Sequence, residues 1–220
     1  LKELRSKVER VFKKLKKLYP TPHRPNRTPL EQAIFTVLSQ NTTDANAEKC
    51  LKNLKEATNG KLSEALKLPE EKLIEAIRPC GLMKQKSRAI KELLSRWPEL
   101  EKQLKESSPE RGIKLLTSIP FIGPKTARVI LTFGFNKNAF PIDTHCRRVI
   151  KRLGLLPEGW SLERFSRFME ENFSAQFNRE FHYNLIRFGR QVCRAVKPKC
   201  QECPLKEECR EGPINGPSQP

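Results

Sequence analysis

The chain has 220 residues, enough for one or two domains that bury about 70 % of the unfolded surface, so a core needs no staples. With 37 % hydrophobic and 31 % charged residues it has no apolar run near the roughly 18 residues that cross a bilayer, which excludes a helical membrane-spanning protein, and 10 Gly and 17 Pro are too few for a collagen-like or low-complexity chain. The 43 Lys and Arg against 25 Asp and Glu leave a net charge of +18, which points to a polyanionic partner, nucleic acid above all.

In chain order the dominant period is helical. Residues 3–18 place Leu4, Val8, Val11, Leu15 and Leu18 on one stripe among lysines and arginines, and Pro20-Thr21-Pro22 ends the segment in a linker. This opening alternation of charged and apolar side chains is unlike a secretory signal. Thr28-Pro29-Leu30-Glu31 is a capping box with proline at the first helical position, and it predicts a buried helix over about 29–40. Further helices are predicted at about 44–56, 62–67, 70–78, 84–96, 109–118, 124–134, 144–153, 162–172 and 179–191. No segment alternates convincingly as a strand, so the fold class is all-α. Residues 212–220 are rich in Gly and Pro and predict a mobile tail.

Cys50, Cys80 and Cys146 lie singly on apolar helical faces, while Cys193, Cys200, Cys203 and Cys209 crowd into 17 residues as C-x6-C-x2-C-x5-C. Four soft thiolates so close can wrap one metal centre, and the pattern favours a reducing compartment over a disulfide framework. Structural zinc sites usually take two closely spaced pairs, and only Cys200 and Cys203 make one. A [4Fe-4S] cluster tolerates uneven spacing because each iron takes one thiolate, so it is preferred to zinc and to two disulfides. Arg194, Lys197 and Lys199 fill the loop between the first two ligands, where a metal would hold them against phosphates.

Residues 115–131 read as a helix end, a tight turn and a new helix started by Gly123 and Pro124, a helix–hairpin–helix. Gly123 lets the turn approach another molecule, and the unpaired N–H groups that follow suit a phosphate backbone. Lys125 falls at about the second residue of that helix, where the macrodipole disfavours an ammonium and is expected to lower its pKa. From the hairpin alone it reads more readily as one more phosphate-contacting cation. Asp143, the one acid among seven bases in residues 120–152, reads as the N-cap of the next helix. His145 just after it is within reach of phosphate or simply packed, and His23 and His182 carry no clearer sign. The aromatic residues read mostly as core.

The run Ile119-Pro120-Phe121-Ile122-Gly123-Pro124-Lys125-Thr126-Ala127-Arg128-Val129-Ile130, then Ile142-Asp143-Thr144-His145, then the four cysteines, resembles the endonuclease III family of DNA glycosylases. Leu38-Ser39-Gln40-Asn41-Thr42-Thr43-Asp44 is similar to that family's motif after its first barrel helix, and Gly81-Leu82 with Lys86 to its intercalating loop. The resemblance covers about residues 28–210. It implies a two-lobed helical fold: a barrel domain at about 24–137 with the hairpin at about 109–134, and an iron–sulfur domain from 1–23 plus 138–220.

The resemblance further implies Lys125 as nucleophile and Asp143 as catalytic carboxylate. Gln40 would fill the gap in the duplex, Leu82 would wedge into the opposite strand, and Lys86, Ile122, Gly123, Thr126, His145, Arg194, Lys197 and Lys199 would meet DNA. The partner is then double-stranded DNA with a damaged base or an abasic site, met by an intracellular, nucleoid-associated monomer. A lysine nucleophile predicts base removal and strand cleavage together, through a Schiff base and β-elimination. Oxidised or ring-damaged pyrimidines are the expected substrates. The alternatives are a glycosylase of this fold for mismatched or methylated bases, and a non-catalytic iron–sulfur protein that binds DNA. One departure stands out: the family commonly has glycine at both ends of the hairpin loop, and here the first is Phe121, which predicts a reshaped turn or a ring turned to DNA or core.

Overall fold

The computed structural model describes residues 1–20 and 26–212; the linker running on from Pro20, His23 and the tail beyond Gly212 lie outside them. Among the described residues the secondary structure is helical with no strand, as the periodicity predicts. No helix among them is long and apolar enough to cross a membrane. Two compact units divide the chain, Pro25–Lys137 and Leu1–Arg24 with Asn138–Pro220.

The Pro25–Lys137 unit holds α2 (Pro29–Leu38), α3 (Asp44–Ala57), α4 (Glu70–Ile77), α5 (Met83–Glu106), α6 (Pro109–Thr117) and α7 (Pro124–Gly134), with 3-10 turns at Leu62–Lys67 and Arg78–Cys80. The capping box forms as read: Thr28 Oγ1 accepts from the Glu31 N–H at 3.2 Å and Glu31 Oε2 accepts from the Thr28 N–H at 3.0 Å. Ile34, Leu38, Leu54, Leu73, Ile77 and Ile90 are fully buried between these helices, each contributing about 1.5–3 kcal/mol.

One boundary differs markedly. The sequence predicts a helix ending near residue 96, before Trp97-Pro98, but α5 runs to Glu106 with Pro98 inside it. Proline removes one helical N–H, yet Trp97, Leu100 and Leu104 continue the buried stripe, and their burial outweighs the lost bond.

The other unit holds α1 (Lys2–Leu18), α8 (Thr144–Arg152), α9 (Leu162–Asn172) and α10 (Ala175–Gln191). Its core joins Val8, Val11 and Leu15 of α1 to Phe140, Val149 and Phe181, and Phe140 stacks on Phe181 with ring centroids 6.1 Å apart. Helix α10 starts four residues before the predicted position, because Ser174 caps it by accepting from the Phe177 N–H at 3.2 Å. Gly189 lets α10 approach α8: a Cβ there would lie 3.1 Å from that of His145.

Cysteine usage also departs from expectation. Cys50 of α3 and Cys80 form a disulfide across 30 residues, with Cα atoms 6.4 Å apart. Helix α3 packs against the Arg78–Cys80 turn and brings together two sulfurs that no local spacing pairs. Cys146 is a buried cysteine, its Sγ 3.5 Å from Nδ1 of His182.

Candidate nucleic-acid interface and active-site residues

The hairpin is α6, a short turn and α7. Gly112 permits close packing of the two helices, since a Cβ on it would come within 2.8 Å of Leu131 Cδ2. Helix α7 begins at Gly123 without a side-chain cap, Pro124 takes its first position, and Lys125 stands exposed at its second. An N-terminus of this kind presents N–H groups and the positive end of the macrodipole to an anion. Phe121 has φ +69°, the left-handed conformation that a glycine takes freely and that costs a side chain about 1–2 kcal/mol. The turn thus keeps a glycine-like backbone with phenylalanine in it, and the ring is half-buried.

Two hairpin residues expected to meet DNA have buried side chains. The Ile122 side chain is buried, 3 % exposed, and its N–H donates to the Ile119 carbonyl at 3.2 Å, which closes the turn. Thr126 is also buried, and its hydroxyl accepts from Nε2 of Gln40 at 2.9 Å. The same Gln40 amide donates to the Phe121 carbonyl at 3.1 Å, so Gln40 is gathered onto the hairpin and Gly123 is left exposed.

Lys86, also expected to meet DNA, lies inside the unit. It is fully buried, and Nζ donates to the carbonyls of Leu38 at 2.8 Å, Gln40 at 2.7 Å and Cys80 at 2.7 Å. Burial pushes its pKa down to about 8, so the ammonium persists at neutral pH, matched donor for acceptor. The exposed side chain of that loop is Leu82, 39 % accessible and left-handed at φ +50°, just before α5.

In the other unit Asp143 is the N-cap of α8, as its position predicts: Oδ1 accepts from the Cys146 N–H at 2.7 Å. Burial pushes its pKa up, but the His182 charge, the hydrogen bonds from Cys146 and the His145 charge together hold it below the ordinary carboxylate value. His182, buried on α10, is therefore the strongest charged influence on Asp143, and sequence reading missed it because 39 residues and a change of helix separate them. His145 sets Nδ1 3.2 Å from Arg148 Nη2, and Arg148 also donates to the Cys193 carbonyl at 2.9 Å and the Gly189 carbonyl at 2.8 Å.

The four-cysteine loop follows α10 and packs on the end of α8. Arg152 Nη1 donates to Cys193 Sγ at 3.6 Å and to the Arg194 carbonyl at 2.7 Å, and the Arg210 N–H donates to the Arg152 carbonyl at 2.9 Å. Cys193, Cys203 and Cys209 lie half-buried against the unit's core. The charges of Cys193, Cys209 and Cys200 all act on the Cys203 thiol, and burial raises it first. An all-sulfur donor set of four cysteines on a short loop, with an arginine at one sulfur, fits a [4Fe-4S] cluster in its chemistry, and each cysteine would give one thiolate. Arg194, Lys197 and Lys199 are exposed on this loop, and Arg194 Nη2 donates to the Lys197 carbonyl at 3.0 Å.

Comparison with known proteins bears directly on these features. The family described as HhH-GPD superfamily base excision DNA repair protein matches residues 34–174, and the iron-sulfur binding domain of endonuclease III matches residues 193–209. Endonuclease III of Sulfolobus acidocaldarius is 35 % identical over 80 % of this chain and 79 % of its own length. Endonuclease III of Thermotoga maritima is 32 % identical over 92 % of both chains. A solved trapped endonuclease III–DNA covalent intermediate superposes with a TM-score of 0.79 at 31 % identity, covering 94 % of this chain and 96 % of that one. With an all-helical fold, a hairpin ending in an exposed lysine and a four-cysteine loop already in place, these matches make the chain a member of the endonuclease III family, within the HhH-GPD superfamily of base excision DNA repair proteins, with a [4Fe-4S] cluster.

Proposed function

We propose that this DNA glycosylase and AP lyase removes oxidised or ring-damaged pyrimidines from duplex DNA, with Lys125 as nucleophile and Asp143 as the catalytic carboxylate. The observation that carries the reading is Lys125 itself, an exposed amine at the second position of a helix that starts without a side-chain cap. A trapped covalent intermediate with DNA in a relative 31 % identical supports it.

The damaged nucleotide swings out of the stack, at a cost of about a few kcal/mol that the lesion lowers. The amine of Lys125 attacks C1′, the C1′–N bond breaks and the base departs with the bonding pair. Asp143, held as a carboxylate, stabilises the developing sugar cation and accepts the amine proton. The C1′–O4′ bond then breaks, its electron pair leaves with O4′, which takes up a proton, and a protonated Schiff base joins Nζ and C1′. That cation acidifies the C2′ hydrogen, and loss of this proton expels the 3′ phosphate by β-elimination. In the same reading Gln40 fills the vacated space, Leu82 enters the opposite strand, and Gly123, His145, Arg194, Lys197 and Lys199 meet the backbone. The enzyme acts as a monomer on chromosomal DNA.

Borohydride capture tests this with duplexes carrying thymine glycol, dihydrouracil, uracil, a G/T mismatch or an A/oxoguanine pair. Capture on the first two and not on the mismatches is the expected outcome. Capture that survives K125A removes the assigned nucleophile, and preferred capture on a mismatch moves the substrate to the alternative glycosylase class.

A further inference from the structure

We propose that Lys86 is a positioning residue: its buried ammonium locks the Gln40 segment, the Leu82 loop and the hairpin into one arrangement and touches no DNA. The inference rests on the roles proposed for Gln40 and Leu82, and its geometry stands apart from them.

An ammonium has three N–H donors, and here three carbonyls receive them, from Leu38, Gln40 and Cys80. The first two belong to the end of α2 and the loop after it, where carbonyls have run out of helical partners. The third belongs to the turn that leads into Leu82. One amine thus joins two segments that are 40 or more residues apart in sequence, as the separations of 46 for Gln40 and 6 for Cys80 show.

Beyond the Gln40 carbonyl, Asn41 has φ +51°; beyond that of Cys80, Gly81 has φ +65° and Leu82 +50°. Asn41 and Leu82 hold a conformation that side chains rarely adopt, and it lasts only where the surroundings over-determine it. The grip of Lys86 on the preceding carbonyls supplies that constraint, and Leu82 is held out of the fold as an exposed apolar side chain.

The connection continues to the hairpin. Lys86 fixes the backbone of Gln40, and the Gln40 side chain donates to the Phe121 carbonyl and the Thr126 hydroxyl, on either side of Lys125 in sequence. No neutral side chain of this length replaces the ammonium. An uncharged amine has two hydrogens for three acceptors, and a methionine has none.

The test compares wild type with K86M in two assays. The first is the ratio of borohydride capture on a lesion duplex to capture on single-stranded abasic DNA, where no gap is filled and no opposite strand is entered. The second is the fluorescence of 2-aminopurine opposite an abasic analogue in a duplex, which reports displacement of the opposite base without chemistry. K86M is expected to lower the ratio tenfold or more and to abolish most of the fluorescence rise seen with wild type. Equal loss on both capture substrates, or an unchanged fluorescence rise, overturns the proposal. If K86M does not fold by circular dichroism, K86Q, which keeps two N–H donors, is judged by the same two readings. Should wild type capture neither substrate, the assignment of Lys125 fails while the fluorescence comparison still decides the role of Lys86.

Discussion

The side-chain amide of Gln40 donates to the hydroxyl of Thr126 at 2.9 Å across 86 residues of sequence, tying the loop after α2 to the first turn of the hairpin's second helix. Thr126 is the neighbour of Lys125, so this bond sets the helix end from which the amine projects. T126V keeps the volume and removes the acceptor. It is expected to destabilise the protein by about 1 kcal/mol in chemical denaturation, and to slow capture on a lesion duplex. Unchanged stability and capture would show that the bond does not hold the hairpin.

Removing the proposed nucleophile should be far more severe. K125A is expected to abolish borohydride capture and lower base release by about a thousandfold or more, since an assembled site loses most of its catalysis with one member. Lys125 is exposed, so the variant should fold and bind duplex normally, as melting and gel-shift measurements would record.

Asp143 joins its capping of α8 to the part proposed for it in the chemistry. Its pKa lies below the ordinary 3.8, so the stability it contributes is fully present above that value and is lost as pH falls through the lower folded value. Its carboxyl carbon is therefore expected to titrate with a midpoint below that ordinary value, and a midpoint above it would contradict the assignment. D143N keeps a capping oxygen for the Cys146 N–H and removes the charge. Single-turnover base release should drop by about 10²–10⁴-fold with the helix content intact.

The cysteine loop should fail as a unit. C200S leaves three thiolates for four irons and is expected to lower bound iron and sulfide sharply, with weaker duplex affinity because the basic loop loses its anchor. Circular dichroism should change little, because α8 and α10 are held by the aromatic and aliphatic core rather than by the loop. Full iron content in C200S would remove Cys200 from the ligand set.

Charge supplies the last expectation. Duplex affinity should fall linearly on a log–log plot against salt, by about 0.9 per phosphate contacted, and K199A should reduce the slope by about that amount while weakening all sequences alike. A slope unchanged in K199A would place this lysine away from the backbone.

Most helices, their caps and the order of the chemical motifs are legible in the sequence, because helical periodicity, capping and close ligand spacing are written within a few residues of one another. Thr28 with Glu31, Asp143 before Cys146, and Gly123-Pro124-Lys125 are all local signals of that kind. Tertiary structure alone decided that Lys86 is buried on three carbonyls, that Cys50 meets Cys80, that His182 lies near enough to act on Asp143, and that Thr126 receives Gln40. In each case the partner is a backbone oxygen or a side chain from another helix, brought near only when the apolar faces pack. Side-chain type alone cannot tell a lysine that meets phosphate from one that meets carbonyls, because both offer the same ammonium a set of oxygens.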